Sequence, residues 1–160
     1  MVTDWFRRQT WTPKDREEFF ARLVRSRGAR NKAQYARIQA YTLLSTRTQD
    51  GRQAALELLH MILKEWRNDA QLALIYHHQA ECFAGLGDLP QAIESYRQVF
   101  ETQRIRKHEL TMAHLDFGLL VITTPMPELF DEALSVLSEF HSAGYSMFPI
   151  NLYHVHGAHL

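Results

Sequence analysis

The chain has 160 residues, 46% of them hydrophobic and 22% charged, with 18 basic and 18 acidic side chains that give a formal net charge of zero. That length is one domain's worth and can bury a sizeable core, and the composition is that of a folded globular protein, not a disordered or fibrous one. No apolar run approaches the ~18 residues of a membrane span, a single cysteine excludes an internal disulfide framework, and the opening MVTDWFRRQTW lacks the apolar core of a secretory signal, so a cytoplasmic protein is expected.

In chain order the periodicity predicts about eight helices and no sheet. Thr12-Pro13 is a helix start, a capping hydroxyl followed by a residue that needs no amide partner, with Asp15, Glu17 and Glu18 suited to the dipole of the first turn. This helix is expected to run to about Ser26, to present Phe19, Phe20, Leu23 and Val24 on one side, and to end at Gly28. A second helix over about 31–45 buries Tyr35, Ile38 and Leu44. A third begins after Asp50-Gly51 and carries Ala55, Leu58, Leu59, Ile62 and Trp66 at steps of three and four. Two helices follow over 72–102, divided by the turn signal Gly87-Asp88, then helices over about 107–123 and 127–142, with Gly144 as a C-cap residue. Cys82 falls beside Phe83 on one of these helices and reads as a buried, inert thiol.

Small residues recur along this pattern. Ala55, Ala92 and Ala133 stand in second helices at steps of 37 and 41, and Ala40, Ala80, Gly118 and Gly157 stand in first helices at steps of 40, 38 and 39. Residues 73–100, ALIYHHQAECFAGLGDLPQAIESYRQVF, show the unit most fully. Tyr76 is the bulky first position, Ala80 the small one and Phe83 the large aromatic, while Ala92 and Tyr96 are the small and aromatic positions of the second helix. This resembles a tetratricopeptide repeat (TPR), a helix–turn–helix unit of about 34 residues. Gln79 stands where the family prefers Leu, and Arg104 stands in place of its late proline.

The resemblance implies a right-handed superhelical stack of antiparallel helix pairs. Residues 1–29 would be an N-terminal capping helix, 30–68, 69–105 and 106–146 three repeats, and 147–160 a terminal helix or the start of a truncated fourth. In such arrays the first helices line a concave groove that holds a peptide or a partner's helix. The groove positions map here onto Gln34, Arg37, Tyr41 and Leu44, then Leu74, His77, Glu81 and Ala84, then Met112, Leu115, Leu119 and Ile122, and last Asn151 and His154. The apolar segment MFPINLYHVHGAHL, a first helix with no second, suggests truncation or a homodimer through this open end more than a docked terminal cap.

The charge is segregated. Residues 1–50 hold eleven basic and five acidic side chains, a net of +6, and the remainder carries −6. The segment with Arg22, Arg25, Arg27, Arg30, Lys32 and Arg37 points to an acidic protein partner, or else to a solvated face of the first helices with a complementary fit against the acidic remainder; nucleic acid is not expected. His77 and His78 are neighbours and point about 100° apart on a helix, so they cannot share an ion, and Glu81 could pair with His77 at i, i+4. Phosphate loops, GxSxG, HExxH and CxxC are all missing. The expectation is a non-enzymatic interaction scaffold with no cofactor or metal. The alternatives are an immunity-type or inhibitory partner of one cognate protein, and a helical ligand- or metal-binding domain or enzyme built on His77, His114 and His154.

Overall fold

A computed structural model of the chain describes residues 4–142. Over these residues the protein is all-helical, with α1 Pro13–Arg25, α2 Ala29–Leu44, α3 Gln49–Glu65, α4 Leu72–Gly85, α5 Leu89–Ile105, α6 Ala113–Thr123 and α7 Phe130–Ser142. Short 3-10 turns at Arg67–Asp69 and Pro127–Leu129 precede α4 and α7. Helices α2 and α3, α4 and α5, and α6 and α7 pack as hairpins, and α3 on α4 and α5 on α6 join one hairpin to the next. Gly144, Tyr153, His154, Gly157 and the terminal segment lie outside the described residues, as does any eighth helix.

Local chemistry accounts for the helix ends. Thr12 Oγ1 accepts the Asp15 amide at 3.1 Å while the Asp15 carboxylate accepts the Thr12 amide at 3.0 Å, a reciprocal capping box with Pro13 in the first turn. Hydrogen bonds from Thr10, Thr12 and Arg8 hold the Asp15 carboxyl far below its ordinary range. Helix α4 closes with the Gly87 amide on the Ala84 carbonyl and the Asp88 amide on that of Phe83, a Schellman motif whose left-handed residue is Gly87 at φ +80°. Asp88 then caps α5 by accepting the Gln91 amide.

The small-residue ladders lie at helix contacts. Ala40, Ala55, Ala80 and Ala92 are wholly buried and Ala133 nearly so, and a Cβ on Gly118 would sit 3.4 Å from Leu137 Cδ1. Such positions have no spare volume, so Ala92→Leu is expected to overpack α5 and cost about 1–3 kcal/mol. Thermal melting checks this, and a midpoint equal to that of the parent chain would count against close packing at Ala92.

Several boundaries differ from the sequence reading. Helix α2 begins two residues earlier, at Ala29, and α5 continues three residues further, to Ile105. Helix α3 starts at Gln49 with Thr48 as its cap, so Gly51 lies inside it. A Cβ there would come within 2.6 Å of the Leu43 carbonyl oxygen, so the α2–α3 turn demands glycine. The largest correction is at 107–123, where helix begins only at Ala113. The preceding residues are held out of it by Glu109, which is buried and bonded to the start of α4.

Burial differs too. Val24 is 74% exposed, because α1 packs chiefly on α2 and has only a narrow buried stripe, Phe19 and Leu23. Tyr35 and Ile38 are half-buried. The buried face of α2 is instead Ala33, Ala36, Gln39, Ala40, Leu43 and Leu44. Gln39 is satisfied in the core by the backbone of Arg8, accepting its amide at 2.9 Å and donating to its carbonyl at 2.7 Å. This clamp seats the N-terminal segment, whose Trp5 ring lies 5.4 Å from Phe19 and 5.1 Å from Tyr35.

Candidate functional site

Three parallel stripes of side chains follow from helical geometry. Gln34, Arg37 and Tyr41 on α2, Leu74, His77 and Glu81 on α4, and Met112, Leu115 and Leu119 at the start and along α6 each fall at i, i+3, i+7, hence on one face of each helix. Helices α2 and α4 touch, and the Tyr41 and His78 rings are 5.1 Å apart.

Two clefts share Arg30, Asp69, Ala70 and Gln71, and so form one trough. Its first part, about 280 Å³, is walled by Gln34 and Arg37 of α2. Its second, about 470 Å³, reaches Leu74, Arg106 and Leu110. A third cleft, about 460 Å³, lies where the end of α2 faces α4 and is lined by Tyr41, Arg47, Arg52 and Glu81. Of the residues expected to bind a partner, Gln34, Arg37, Leu74, Tyr41 and Glu81 thus line clefts. Met112 and Leu119 are exposed on α6 and Leu115 is half-buried there, and none of the three lines any of these clefts. His154 lies outside the described residues.

Three guanidinium groups line the trough; Arg106 is paired with Glu109 at 3.0 Å, while Arg30 and Arg37 have no carboxylate within salt-bridge distance among the described residues. Arg22, Arg25, Arg27, Arg30, Lys32 and Arg37 make no ion pair among the described residues, whereas Arg8, Arg16, Arg97 and Arg104 each meet a carboxylate within 3.1 Å. The basic segment is therefore not absorbed by a fit to the acidic remainder. Burial pulls the Arg37 guanidinium below its ordinary pKa, the mark of a cation that is partly stripped of water and has no anion beside it.

A polar cluster joins α4 to α6. His77 is buried, and its Nε2 lies 2.7 Å from Asp116 Oδ2 on α6. His78 Nδ1 lies 3.2 Å from Glu81 Oε2. The i, i+4 pairing of Glu81 with His77 is thus replaced by two others. Tyr96 on α5 completes the wall, its ring 6.1 Å from that of His77. Burial, and then the charges of Asp116 and Glu81, push its phenol above the ordinary value. His114 turns away to pack 5.4 Å from the Phe140 ring, and burial brings its imidazole down to about 4, so it is neutral at pH 7. Cys82 is buried, and burial pushes its thiol up to about 12, which leaves it unreactive.

Arg30, Gln71, Tyr96, Arg106 and Asp116 were missed by the mapped positions. Asp116 carried no readable signal, since the position of α6 that corresponds to His77, three residues before the small residue, is Leu115. No family model, curated protein or solved structure matches the chain. Among the described residues no helix is long and apolar enough to cross a membrane.

Proposed function

We propose that this protein is a non-enzymatic, cytoplasmic interaction module whose hairpins stack in a TPR-like, right-handed superhelix and which binds an acidic peptide or protein segment along the α2–α4–α6 side. The observation that carries the reading is the trough in which Arg30 and Arg37 line the wall and neither has a carboxylate partner among the described residues, while Arg106 is already paired with Glu109. Unpaired guanidinium groups beside a cleft favour anionic side chains through charge-assisted, often bidentate hydrogen bonds. The order of three hairpins along the chain and the buried small residues between helices support the repeat architecture.

The test is fluorescence anisotropy with a labelled Glu-rich peptide and a neutral peptide of equal length. The acidic peptide is expected to bind in preference, and its affinity to fall as salt is raised. Arg30→Glu, an exposed change, and Arg37→Gln, which avoids burying a carboxylate, are each expected to weaken it by about tenfold, the loss of one charge-assisted contact. Equal binding of both peptides, or affinities untouched by either variant in a chain of unchanged circular dichroism, would remove the trough from the site.

A further inference from the structure

We propose that His77, Glu81 and Asp116 form a binding site for one divalent first-row transition-metal ion, which would clasp α4 to α6. The three side chains each offer one ligand atom, and these atoms all lie within 4.8 Å of one another. His77 and Glu81 are one helical turn apart on the same face of α4, a spacing at which two side chains from a rigid helix reach a single ion. Asp116 arrives from a different helix, so the ion would tie together two hairpins that are otherwise joined mainly where α5 meets α6.

Electrostatics favour a cation at this point. Two carboxylates converge on a half-buried site, and among the described residues the only salt-bridge partners of Asp116 and Glu81 are His77 and His78. Among the described residues, neither carboxylate has a lysine or arginine within salt-bridge distance. Arg52 and Arg47 share the neighbouring cleft with Glu81 but do not pair with it. A metal ion would take the place of the proton between His77 and Asp116, moving their atoms apart from 2.7 Å to the separation that two bonds of about 2.0–2.2 Å to a common ion require. One nitrogen and two oxygen ligands suit zinc, cobalt or manganese and disfavour magnesium and calcium, which prefer all-oxygen shells. Water would complete the coordination.

A supporting shell is present. His78 Nδ1 approaches the second member of the set, Glu81, at 3.2 Å, and its buried Nε2 has no hydrogen-bond partner among the described residues. A proton on Nδ1 satisfies this arrangement, donates to Glu81 and fixes the carboxylate's direction, the role of outer-shell partners in metal sites. The inference rests on different side chains from the basic trough and is tested without any partner.

The experiment is titration of the full 160-residue chain with Zn²⁺ by calorimetry, with Co²⁺ as a spectroscopic probe and Mg²⁺ as competitor. One equivalent of Zn²⁺ is expected to bind and to raise the melting temperature, Co²⁺ to develop ligand-field absorption, and Mg²⁺ not to compete. Asp116→Asn and Glu81→Gln, near-isosteric changes, are each expected to weaken Zn²⁺ by at least about tenfold. A variant in which His154, His156 and His159 are all alanine should keep the site. Failure to bind, affinity unaltered in the Asp116→Asn, Glu81→Gln double variant, or loss of binding in the triple histidine variant would each overturn the proposal and leave His77–Asp116 as a plain interhelical hydrogen bond.

Discussion

Replacing Glu109 with alanine is expected to destabilise the protein by about 3 kcal/mol, because its carboxylate does the work of a helix cap from a distant part of the chain. Helix α4 begins after Gln71, which makes no side-chain capping bond. Its Ala73 amide is instead taken by Glu109 Oε2 at 2.8 Å, and Glu109 Oε1 accepts Arg106 Nη1 at 3.0 Å. Arg106 in turn donates to the Ala70 carbonyl, and buried Gln103 donates to the backbone carbonyl of Glu109 at 2.9 Å. The network seats an anion at a helix N-terminus and closes the loop between α5 and α6 over the start of α4. Alanine would leave a buried amide without an acceptor, at about 1–3 kcal/mol, and a half-buried guanidinium without its counter-charge. Glu109→Gln keeps an acceptor and should cost about half as much. For a chain of this size the alanine variant should melt roughly 6–12 °C lower. Equal melting of the parent and both variants would show that the cap contributes nothing.

Residues whose role is decided by their own volume or hydrogen-bonding chemistry were legible in the sequence. Ala40, Ala55, Ala80 and Ala92 announce close helix contacts because nothing larger fits there. Thr12-Pro13 and Gly87-Asp88 announce caps because the capping groups lie within five residues of the amides and carbonyls they satisfy. Glu109 was not legible. Its partner amide is 36 residues away, and the surrounding KHELTM has good local helix propensity that the tertiary bonds override. Gln39 was missed for a related reason, since its two bonds go to a backbone unit 31 residues earlier. Val24 was misplaced because periodicity fixes the direction of an apolar face but not its width, and α1 is covered mainly by α2. Within the candidate site, the α2 stripe and Glu81 were found by register alone. The pairing of His77 with Asp116 depended on how α6 lies against α4, which no local pattern encodes.

The same dependence on packing between hairpins makes Phe117→Ala the most disruptive change expected, at about 3–5 kcal/mol. Phe117 on α6 is wholly buried, its ring 5.5 Å from Tyr96 and 5.6 Å from Phe100, both on α5. Phe100 reaches on to Phe140 of α7 at 5.6 Å, so an aromatic cluster centred on Phe117 and Phe100 packs the third hairpin on the second. Truncation would remove the ring's apolar surface and leave a cavity at the seam, while the ion pairs Arg97–Glu132 and Arg104–Glu139 across the same seam are surface-exposed and compensate little. In an array of repeats each unit depends on its neighbour, so damage at one interface frees the units beyond it before those behind it. Amide hydrogen exchange on Phe117→Ala should therefore show α6 and α7 exchanging through a partial opening, with α4 and α5 still protected. If protection instead falls equally from α2 to α7, the hairpins unfold as one cooperative block, and the proposed repeat architecture loses its main energetic consequence.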